Sequence, residues 1–547
     1  MPRQLVRWGP VVKFFSSYMS HPTPSPERCP PTKKQRVDTE ERANEKRDRK
    51  RIQHLRKAYA KQVAKHGDPP ILFDILEMIG RDRVEDIVAK GQEYERVSPF
   101  NEEVTVTIER LSAHGDGLAL SPRGDRLLVV PFALPGEQVR VFPYAAERLY
   151  FKARVVEMVQ PNPAWRDDSL VQCRYFGQCG GCQYQMIPYS KQLEQKKTVV
   201  ENAFKHYAHL DASLVPAVLD TMASPQTMSY RTKLTPHFDL PSILRKKGSS
   251  SSVPDSALSV PIGFDGATLG RVMDIEECPI GTPILNEAMK AQRARVRETI
   301  RSYKNGATLL LRDSLPSADA SMDESMAVTD HKATVYERVG PITFSTPAGA
   351  FFQNNRSIIP LVVDYVKHQL PASEGPQYLV DTYCGSGLFA LTLASLFDEV
   401  AGVEISADSI ACAEKNAALN HITNAKFLAG QAENIFGRIE YPSEKTTVVI
   451  DPPRRGCDQA FLDQLVALQP KHIIYVSCNV HVRILTSLSN TIQTQARDVG
   501  QLLRACPSYQ IRSIRGFDFF PQTQYVSDVG SNLSHVEGVC VLEHASS

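Results

Sequence analysis

The 547-residue chain is long enough for several hydrophobic cores, since 42% of its residues are hydrophobic and domains average roughly 100 to 200 residues. The formal net charge is only +2, but residues 27–66 carry 14 Lys and Arg against 6 Asp and Glu, so the chain after residue 66 is net acidic. Any RNA binding by that acidic body must use local basic patches.

Two classes of protein are excluded by the composition. No apolar run approaches the roughly 20 residues that span a bilayer. Eleven cysteines spread over so long a chain do not resemble a small secreted disulfide scaffold. We therefore predict a soluble intracellular protein of a few domains, a monomer without a membrane partner.

Residues 1–95 predict a basic, partly disordered extension. Met1–Ser20 contains Arg, Lys and apolar residues without acids, which suits either a mitochondrial transit segment or a frayed terminus. Lys33–Val37 follows two prolines and suits a nuclear import signal. Residues 38–66 are rich in helix formers with little apolar periodicity, which predicts a solvated basic helix able to lie along a phosphate backbone. Nucleus, cytoplasm and mitochondrion all stay open as destinations.

Residues 96–160 predict a small β-barrel, because short alternating runs such as EVTVTIERL and EQVRVFPY are separated by turn residues. The pattern resembles the TRAM domain, an oligonucleotide-binding-like barrel that accompanies RNA-modifying enzymes. That resemblance implies a surface for RNA, to which Arg140, Lys152 and Arg154 would contribute.

Residues 161–345 predict a mixed α+β middle domain. Two low-complexity stretches within it, Arg245–Ser256 and Ser314–Asp330, predict disordered surface loops. Four cysteines of this region are candidate metal ligands, namely Cys173, Cys179, Cys182 and Cys278. Four thiolates suit zinc and an iron–sulfur cluster equally well on physical grounds.

The last part of the chain, residues 346–547, predicts an α/β fold. From Gln377 onward, strand-like and helix-like segments alternate, which is typical of a doubly wound parallel sheet with a ligand beyond the carboxyl ends of its strands. Asp381–Gly387 closes one such strand and opens a helix, so its glycines let the backbone approach a ligand. Ala390 stands where a dinucleotide fingerprint has its third glycine, which disfavours a pyrophosphate ligand.

Glu404 ends the next predicted strand, where a carboxylate can accept hydrogen bonds from both ribose hydroxyls. Together with the glycine segment, it predicts a nucleoside cofactor without phosphates. That combination is found in the class I methyltransferase fold, which binds S-adenosylmethionine (SAM).

Two more motifs end predicted strands and so face the same cleft, Asp451–Gly456 (DPPRRG) and Val476–Asn479 (VSCN). Phe351–Asn355 (FFQNN) precedes the first strand of the domain, and His535–Glu537 (HVE) lies in the final hairpin. Along the chain the four motifs follow in the order FFQNN, DPPRRG, VSCN and HVE. Together they resemble the RNA (uracil-5-)methyltransferase family over roughly residues 105–543. Within that family, the resemblance is to the eukaryotic tRNA (uracil-54-C5)-methyltransferase type.

The resemblance implies SAM-dependent methylation of carbon 5 of a uridine in RNA, with the T-loop uridine 54 of tRNA as the favoured target. It implies that Cys478 is the nucleophile, which adds to uracil carbon 6, and that Glu537 is the base, which removes the hydrogen from carbon 5. Arg454 or Arg455 would favour the thiolate. The implied cofactor contacts are Gln353, Tyr383, Glu404 and Asp451.

Family members that hold a [4Fe–4S] cluster with the same cysteine spacing favour iron over zinc at the four cysteines, and cysteines without any metal are the third alternative. The cluster's role would be structural, because the methyl transfer needs no electron. Three other functions stay open: a ribosomal RNA (uracil-C5)-methyltransferase, a non-catalytic RNA-binding or tRNA-folding protein, and a redox iron–sulfur protein. The last two would keep their activity without Cys478.

Overall fold

The computed structural model describes residues 33–240, 259–267, 271–370, 375–430, 439–453, 455–477, 491–523 and 537–545. The chain divides into two compact units, Met1–Lys61 and Gln62–Ser547. In the described ranges, every helix is too short or too polar to cross a membrane.

Helix α1 (Lys33–His66) makes up the described part of the first unit and ends just inside the second. Its composition explains it, since Lys, Arg, Glu and Ala are strong helix formers. Side chains 46–50 are exposed, and Arg51 pairs with Asp48 at 3.3 Å. The predicted basic helix is present and begins at Lys33. The candidate transit segment and the polar stretch before Lys33 lie outside the described residues.

The predicted barrel region forms one six-stranded sheet in the order β1-β5-β6-β4-β3-β2. Its strands are β1 (Val104–Thr107), β2 (Arg110–Leu111), β3 (Gly117–Leu120), β4 (Leu127–Val130), β5 (Gln138–Ala146) and β6 (Tyr150–Gln160). Only Ile108 and Glu109 join the two edge strands, so the sheet must curl around its buried core of residues such as Leu128 and Phe151. The identification of this curled sheet as a TRAM domain stays a prediction.

Two helices that fall within the predicted N-terminal extension are part of the folded body. They are α2 (Pro70–Ile79) and α3 (Arg81–Ala89), whose Ile75 and Val84 are buried in one cluster with Leu127 of β4. Apolar residues at helical spacing explain this difference from the prediction, because they bury a face against the sheet.

The middle region contains helices α4 (Tyr189–Tyr207) and α5 (Pro283–Thr299). Its strands are β7 (Leu219–Met222), β8 (Lys233–Leu234), β9 (His237–Phe238), β10 (Ala307–Thr308), β11 (Leu311–Ser314), β12 (Met326–Val328), β13 (Thr334–Val339) and β14 (Ile342–Pro347). The small sheets are β10-β9, β12-β11-β8 and β13-β14. They fit the predicted mixed α+β composition.

Of the two loops predicted for this region, only the second falls within the described residues. Arg245–Ser256 lies outside the described residues. Ser314–Asp330 differs from the prediction, because it contains β12, which pairs with β11, and because Val328 is buried against Val335. Its serines and acids therefore flank an ordered strand.

The predicted doubly wound sheet is confirmed. Eight strands lie in the order β17-β16-β15-β18-β19-β21-β20-β7, parallel from β17 to β19 and with β21 antiparallel to both neighbours. Besides β7, the strands are β15 (Tyr378–Thr382), β16 (Glu399–Glu404), β17 (Ala425–Ala429), β18 (Thr446–Ile450), β19 (His472–Ser477), β20 (Tyr509–Phe517) and β21 (Glu537–His544). The helices are α6 (Ile359–Gln369), α7 (Leu388–Thr392), α8 (Ala407–Leu419), α9 (Gln459–Leu468) and α10 (Thr491–Ala505).

Both faces of this sheet are covered, as a parallel sheet requires. The neighbouring residues Leu379 and Val380 of β15 belong to two different buried clusters, one on each face. Strand β7, from the predicted middle region, completes the edge beside β20. The middle region and the methyltransferase-like sheet are therefore one continuous structure.

Candidate active site

A cavity of about 510 Å³ opens at the carboxyl ends of β15, β16 and β18. All four side chains predicted to contact the cofactor line it, namely Gln353, Tyr383, Glu404 and Asp451. Parallel strands end on the same edge of a sheet, which is why residues far apart in sequence meet there.

The glycine segment after β15 forms one wall of the cavity. Gly385 and Gly387 both have left-handed backbones, with φ of 53° and 91°. The Gly385 N–H donates to Glu404 Oε2 at 3.2 Å, and Ser406 N–H donates to Glu404 Oε1 at 3.0 Å. Each carboxylate oxygen can accept a further bond. Glu404 is therefore held at the end of β16 with capacity left for ribose hydroxyls.

Tyr383 also has a left-handed backbone, with φ of 60°, which is unusual for a bulky residue. Its ring packs at 5.4 Å from the ring of Phe461 on α9. Burial raises the pKa of the Tyr383 hydroxyl, so the side chain stays neutral. Strained residues of this kind cluster at ligand sites.

The FFQNN segment is fixed by its second asparagine. Asn355 donates through Nδ2 to Ser224 Oγ at 3.0 Å and to the Phe519 carbonyl at 3.1 Å, and its Oδ1 accepts from Ser357 N–H at 3.1 Å. The side chain thus joins three separate stretches of the chain. These bonds fix the backbone two residues after Gln353, which is buried and lines the cavity.

The loop after β18 contributes Asp451 and Arg455 to the cavity lining. Asp451 N–H lies 3.4 Å from the Thr382 carbonyl of the neighbouring strand, which ties the start of the loop to β15. Arg454 lies outside the described residues.

The described residues include the predicted base, Glu537, but not the predicted nucleophile. Glu537 is the first residue of β21 and is only 2% exposed. Its neighbour Gly538 donates through N–H to Ser477 Oγ at 2.8 Å, and Ser477 is the last residue of β19. Cys478, the next residue in the chain, lies outside the described residues. Glu537 is thus placed beside the strand end that leads into the cysteine.

Comparison with known proteins identifies the family. A family model described as tRNA (Uracil-5-)-methyltransferase matches residues 319–525. The tRNA (uracil(54)-C(5))-methyltransferase of Schizosaccharomyces pombe is 44% identical over 489 residues, which cover 88% of this chain and 86% of that protein. The chain belongs to the tRNA (uracil-5-)methyltransferase family. The Saccharomyces cerevisiae protein of the same name is 35% identical and covers 97% of this chain and 90% of its own length.

The fold of this family member is similar to a solved structure. The Pyrococcus abyssi tRNA (uracil-54, C5)-methyltransferase, crystallised with S-adenosyl-L-homocysteine, has a TM-score of 0.54 and 21% identity. The alignment covers 80% of this chain and 100% of that one. The likeness extends over the whole archaeal protein and supports the shared fold.

Asp381, in the strand that leads into the glycine segment, has a structural role that the sequence analysis did not predict. It is 1% exposed at the end of β15, and its Oδ2 accepts the Ala390 N–H of α7 at 2.7 Å, so it anchors the helix that follows the glycine segment. Burial raises the pKa of its carboxyl well above the usual range. Asp408 on α8 lines the cavity and was also missed, because its position near Glu404 appears only in the fold.

The raised pKa of Asp381 predicts a pH-dependent stability. Below the unfolded-state pKa of about 3.9, this carboxyl is neutral in both states, so folding does not bury a charge. As the pH rises from there toward the folded-state pKa, the free energy of unfolding falls. Asp381→Asn stays neutral and can still accept the Ala390 N–H. We expect the free energy of unfolding of Asp381→Asn to exceed that of the wild type by an amount that grows by at most about 1.4 kcal/mol per pH unit.

Thermal unfolding without cofactor, between about pH 5 and pH 8, measures this difference. Asp381→Ala, which cannot accept the hydrogen bond, serves as the control and should be less stable than Asp381→Asn at every pH. Parallel curves for the wild type and Asp381→Asn would contradict the assignment.

One small pocket of about 60 Å³ is lined by all four candidate metal ligands, namely Cys173, Cys179, Cys182 and Cys278. Burial raises the pKa of all four thiols, that of Cys179 to about 12. As placed, however, no three Cys, His, Asp or Glu side chains of the described ranges form a group that could hold a metal ion. The donor types fit a metal, but the side-chain arrangement does not form a ligand shell.

Proposed function

We propose that this protein uses SAM to methylate carbon 5 of uridine 54 in tRNA. The observation that carries the proposal is the single cavity lined by Gln353, Tyr383, Glu404 and Asp451 at the edge of the sheet where Glu537 also lies. The fungal relatives that share most of this chain's length bear the name of that activity. We also propose that the protein acts as a monomer.

SAM supplies an electrophilic methyl group when it is bound in the cavity. Glu404 would accept hydrogen bonds from the ribose hydroxyls, and the backbone of Gly385 and Ser386, which line the cavity before α7, would contact another part of the cofactor. Tyr383, which stays protonated, and the loop of Asp451 form a further part of the cavity wall. These groups bind and orient the methyl donor.

Replacing Glu404 with alanine should weaken cofactor binding. The variant loses two charge-assisted hydrogen bonds to the ribose and the anchor of the Gly385 N–H, so we expect the Kd for SAM to rise about 100-fold. Isothermal titration measures the change. Glu399→Ala is the matched control, because Glu399 starts the same strand and pairs only at the surface with Lys426 and Tyr441.

Equal Kd values for Glu404→Ala and Glu399→Ala would contradict the assigned ribose contact. The same titration with S-adenosylhomocysteine should show the same ratio, because the ribose is common to both ligands.

Carbon 5 of uracil is too weak a nucleophile to take a methyl group directly. We propose that the Cys478 thiolate adds to carbon 6 and forms a C–S bond, which moves the electron pair of the 5,6 double bond onto carbon 5. Carbon 5 then takes the methyl group, and the electron pair of the broken sulfur–methyl bond stays on the sulfur, which leaves as S-adenosylhomocysteine. Glu537 removes the remaining hydrogen of carbon 5 as a proton, and the electron pair restores the double bond and expels the Cys478 thiolate. The enzyme is regenerated without a redox step.

The target uridine must leave its stack to reach this cleft, at a cost of a few kcal/mol, which favours a loop nucleotide. Two of the basic residues predicted for RNA contact are already paired with acids, Arg140 with Glu157 at 2.5 Å and Lys152 with Glu147 at 3.6 Å. The exposed basic side chains of α1 are a second source of attraction for the phosphate backbone.

The substrate proposal is tested by incubating the protein with labelled SAM and three RNAs, followed by nucleoside analysis. The RNAs are an unmodified tRNA transcript, the same transcript with cytidine at position 54, and ribosomal RNA. We expect 5-methyluridine only in the first. Methylation of ribosomal RNA would reassign the substrate, and the absence of 5-methyluridine in all three would refute the enzyme.

We further propose that the four-cysteine pocket takes up a [4Fe–4S] cluster with a structural role. The shared pocket and the donor set support this, and the side chains would have to close in around the metal. Asn286 already fixes the backbone of Cys278, because its Oδ1 accepts the Cys278 N–H at 2.7 Å. No step of the methyl transfer uses the group.

Analysis of iron, zinc and sulfide in anaerobically purified protein decides between the alternatives. About four irons and four sulfides per chain, lost together in Cys179→Ser but not in Cys540→Ser, would support the cluster. Zinc without sulfide would identify a zinc site. Neither metal in the wild type would show that the thiols pack as a pocket only.

A further inference from the structure

Two polar side chains of helix α10 are completely buried beneath the catalytic edge of the sheet. Gln495 and Asp498 each have 0% exposure and, three residues apart, lie on the same face of the helix. Neither lines the cofactor cavity. Buried polar groups are costly unless they are hydrogen-bonded, so the partners of these two side chains indicate their purpose.

Asp498 joins the loop after β18 to strand β19. Its Oδ2 accepts the Cys457 N–H and the Tyr475 hydroxyl, both at 2.8 Å. Arg497 donates through Nε to Asp498 Oδ1 at 2.8 Å and through Nη2 to the Arg455 carbonyl at 3.0 Å. The loop that begins with the cofactor-site aspartate is therefore held at two points.

Gln495 joins strand β19 to the start of β21. Its Nε2 donates to the carbonyl oxygens of Tyr475 and Gly538, both at 2.8 Å. Tyr475 lies three residues before Cys478 in the chain, and Gly538 follows Glu537. One amide group thus holds the strands that lead to the proposed nucleophile and base at a fixed separation.

Two glycines accommodate these contacts. A Cβ atom at Gly456 would lie 2.5 Å from Asp498 Oδ2, and a Cβ atom at Gly538 would lie 2.8 Å from Gln495 Oε1. Both distances are shorter than real Cβ contacts, so any larger residue would displace the side chain or the backbone. The loop at Gly456 and strand β21 at Gly538 therefore lie so close to α10 that a side chain does not fit between them.

We infer that Gln495 and Asp498 are positioning residues for methyl transfer. They set the relative positions of the loop of Asp451, the end of β19 and Glu537, although they touch neither substrate. The inference rests on the proposed roles of Cys478 and Glu537. Covalent catalysis needs nucleophile, acceptor and base aligned together, and a misplacement of about 1 Å can cost on the order of 100-fold in rate.

The test compares Gln495→Met, Asp498→Leu and Asp498→Asn with Leu502→Ala, a control that opens a cavity in the apolar core of the same helix. For each purified full-length variant, the melting temperature, kcat and the KM values for SAM and tRNA are measured well below the lowest melting temperature. We expect kcat to fall about 100-fold for Gln495→Met and Asp498→Leu with little change in either KM. Asp498→Asn, which keeps an acceptor for Cys457 and Tyr475, should recover at least tenfold of this loss.

Leu502→Ala should lower the melting temperature comparably but keep kcat within about threefold of the wild type. If kcat instead follows the melting temperature across all four variants, the two residues are merely structural and the inference is wrong. Should Asp498→Leu fail to fold, Gln495→Met and Asp498→Asn decide the question between them. Failure of the proposed function is recognised separately, because the wild type would then form no 5-methyluridine.

Discussion

Replacing Cys478 with alanine is expected to abolish methylation, with a fall in kcat of at least about 10⁴-fold. Without the thiolate, carbon 5 of uracil is not activated for methyl transfer. Binding should persist, since all four proposed cofactor contacts stay in place. The Kd for SAM and the Kd for tRNA should therefore remain close to those of the wild type.

The measurement is the rate of 5-methyluridine formation, with both Kd values determined on the same preparations. Cys540→Ala is the control, because Cys540 is buried in β21 and burial raises the pKa of its thiol, which keeps it protonated and inert. It should retain nearly full activity. Measurable turnover by Cys478→Ala, or an equal loss in Cys540→Ala, would contradict covalent catalysis by Cys478.

Replacing Glu537 with glutamine is expected to stop the reaction after methyl transfer. Glutamine fits the same buried position at the start of β21 but cannot take the proton from carbon 5. The elimination step then fails, so the methylated RNA stays attached through the thioether. We expect kcat to fall about 10² to 10⁴-fold while a covalent RNA–protein complex accumulates.

Denaturing gel electrophoresis with methyl-labelled SAM detects this complex, which should carry the label. Glu543→Gln is the matched control on the same strand, where the carboxylate is paired with Arg512 at 2.6 Å on the surface. It should turn over normally without a stable complex. Normal turnover of Glu537→Gln, or loss of activity without any covalent complex, would assign the base to another residue.

The sequence predicts the methyltransferase-like part of the fold well, because hydrophobic strands that alternate with helices have few arrangements open to them. Asp381–Gly387, Glu404 and Asp451 lie at or just after the ends of such strands, and the rule that ligands bind at the carboxyl edge predicts that they lie together. Gln353 was predicted from the family resemblance alone, and the hydrogen bonds of Asn355 supply its physical reason.

Other features depend on contacts between distant segments and leave no local pattern. Strand β7 has two exposed residues, and its sequence gives no sign that it joins the sheet beside β20, where Leu219 pairs with Arg515, 296 residues later. Gln495 and Asp498 look like solvated residues of a polar helix, since α10 contains several other polar side chains. Only their burial against β19 and β21 distinguishes them. The short spacing of Cys173, Cys179 and Cys182 predicts that three thiols lie together, whereas the place of Cys278 in their pocket follows only from the fold.

Mass spectrometry of a trapped reaction tests covalent methylation most directly. Wild-type protein, SAM and a tRNA transcript with 5-fluorouridine at position 54 are combined, because a fluorine on carbon 5 cannot be removed as a proton and blocks elimination. We predict one stable complex, with the RNA bonded to the peptide that contains Cys478 and with the methyl group transferred to the base. No complex, or a complex at another cysteine, would contradict the proposed nucleophile and the mechanism built on it.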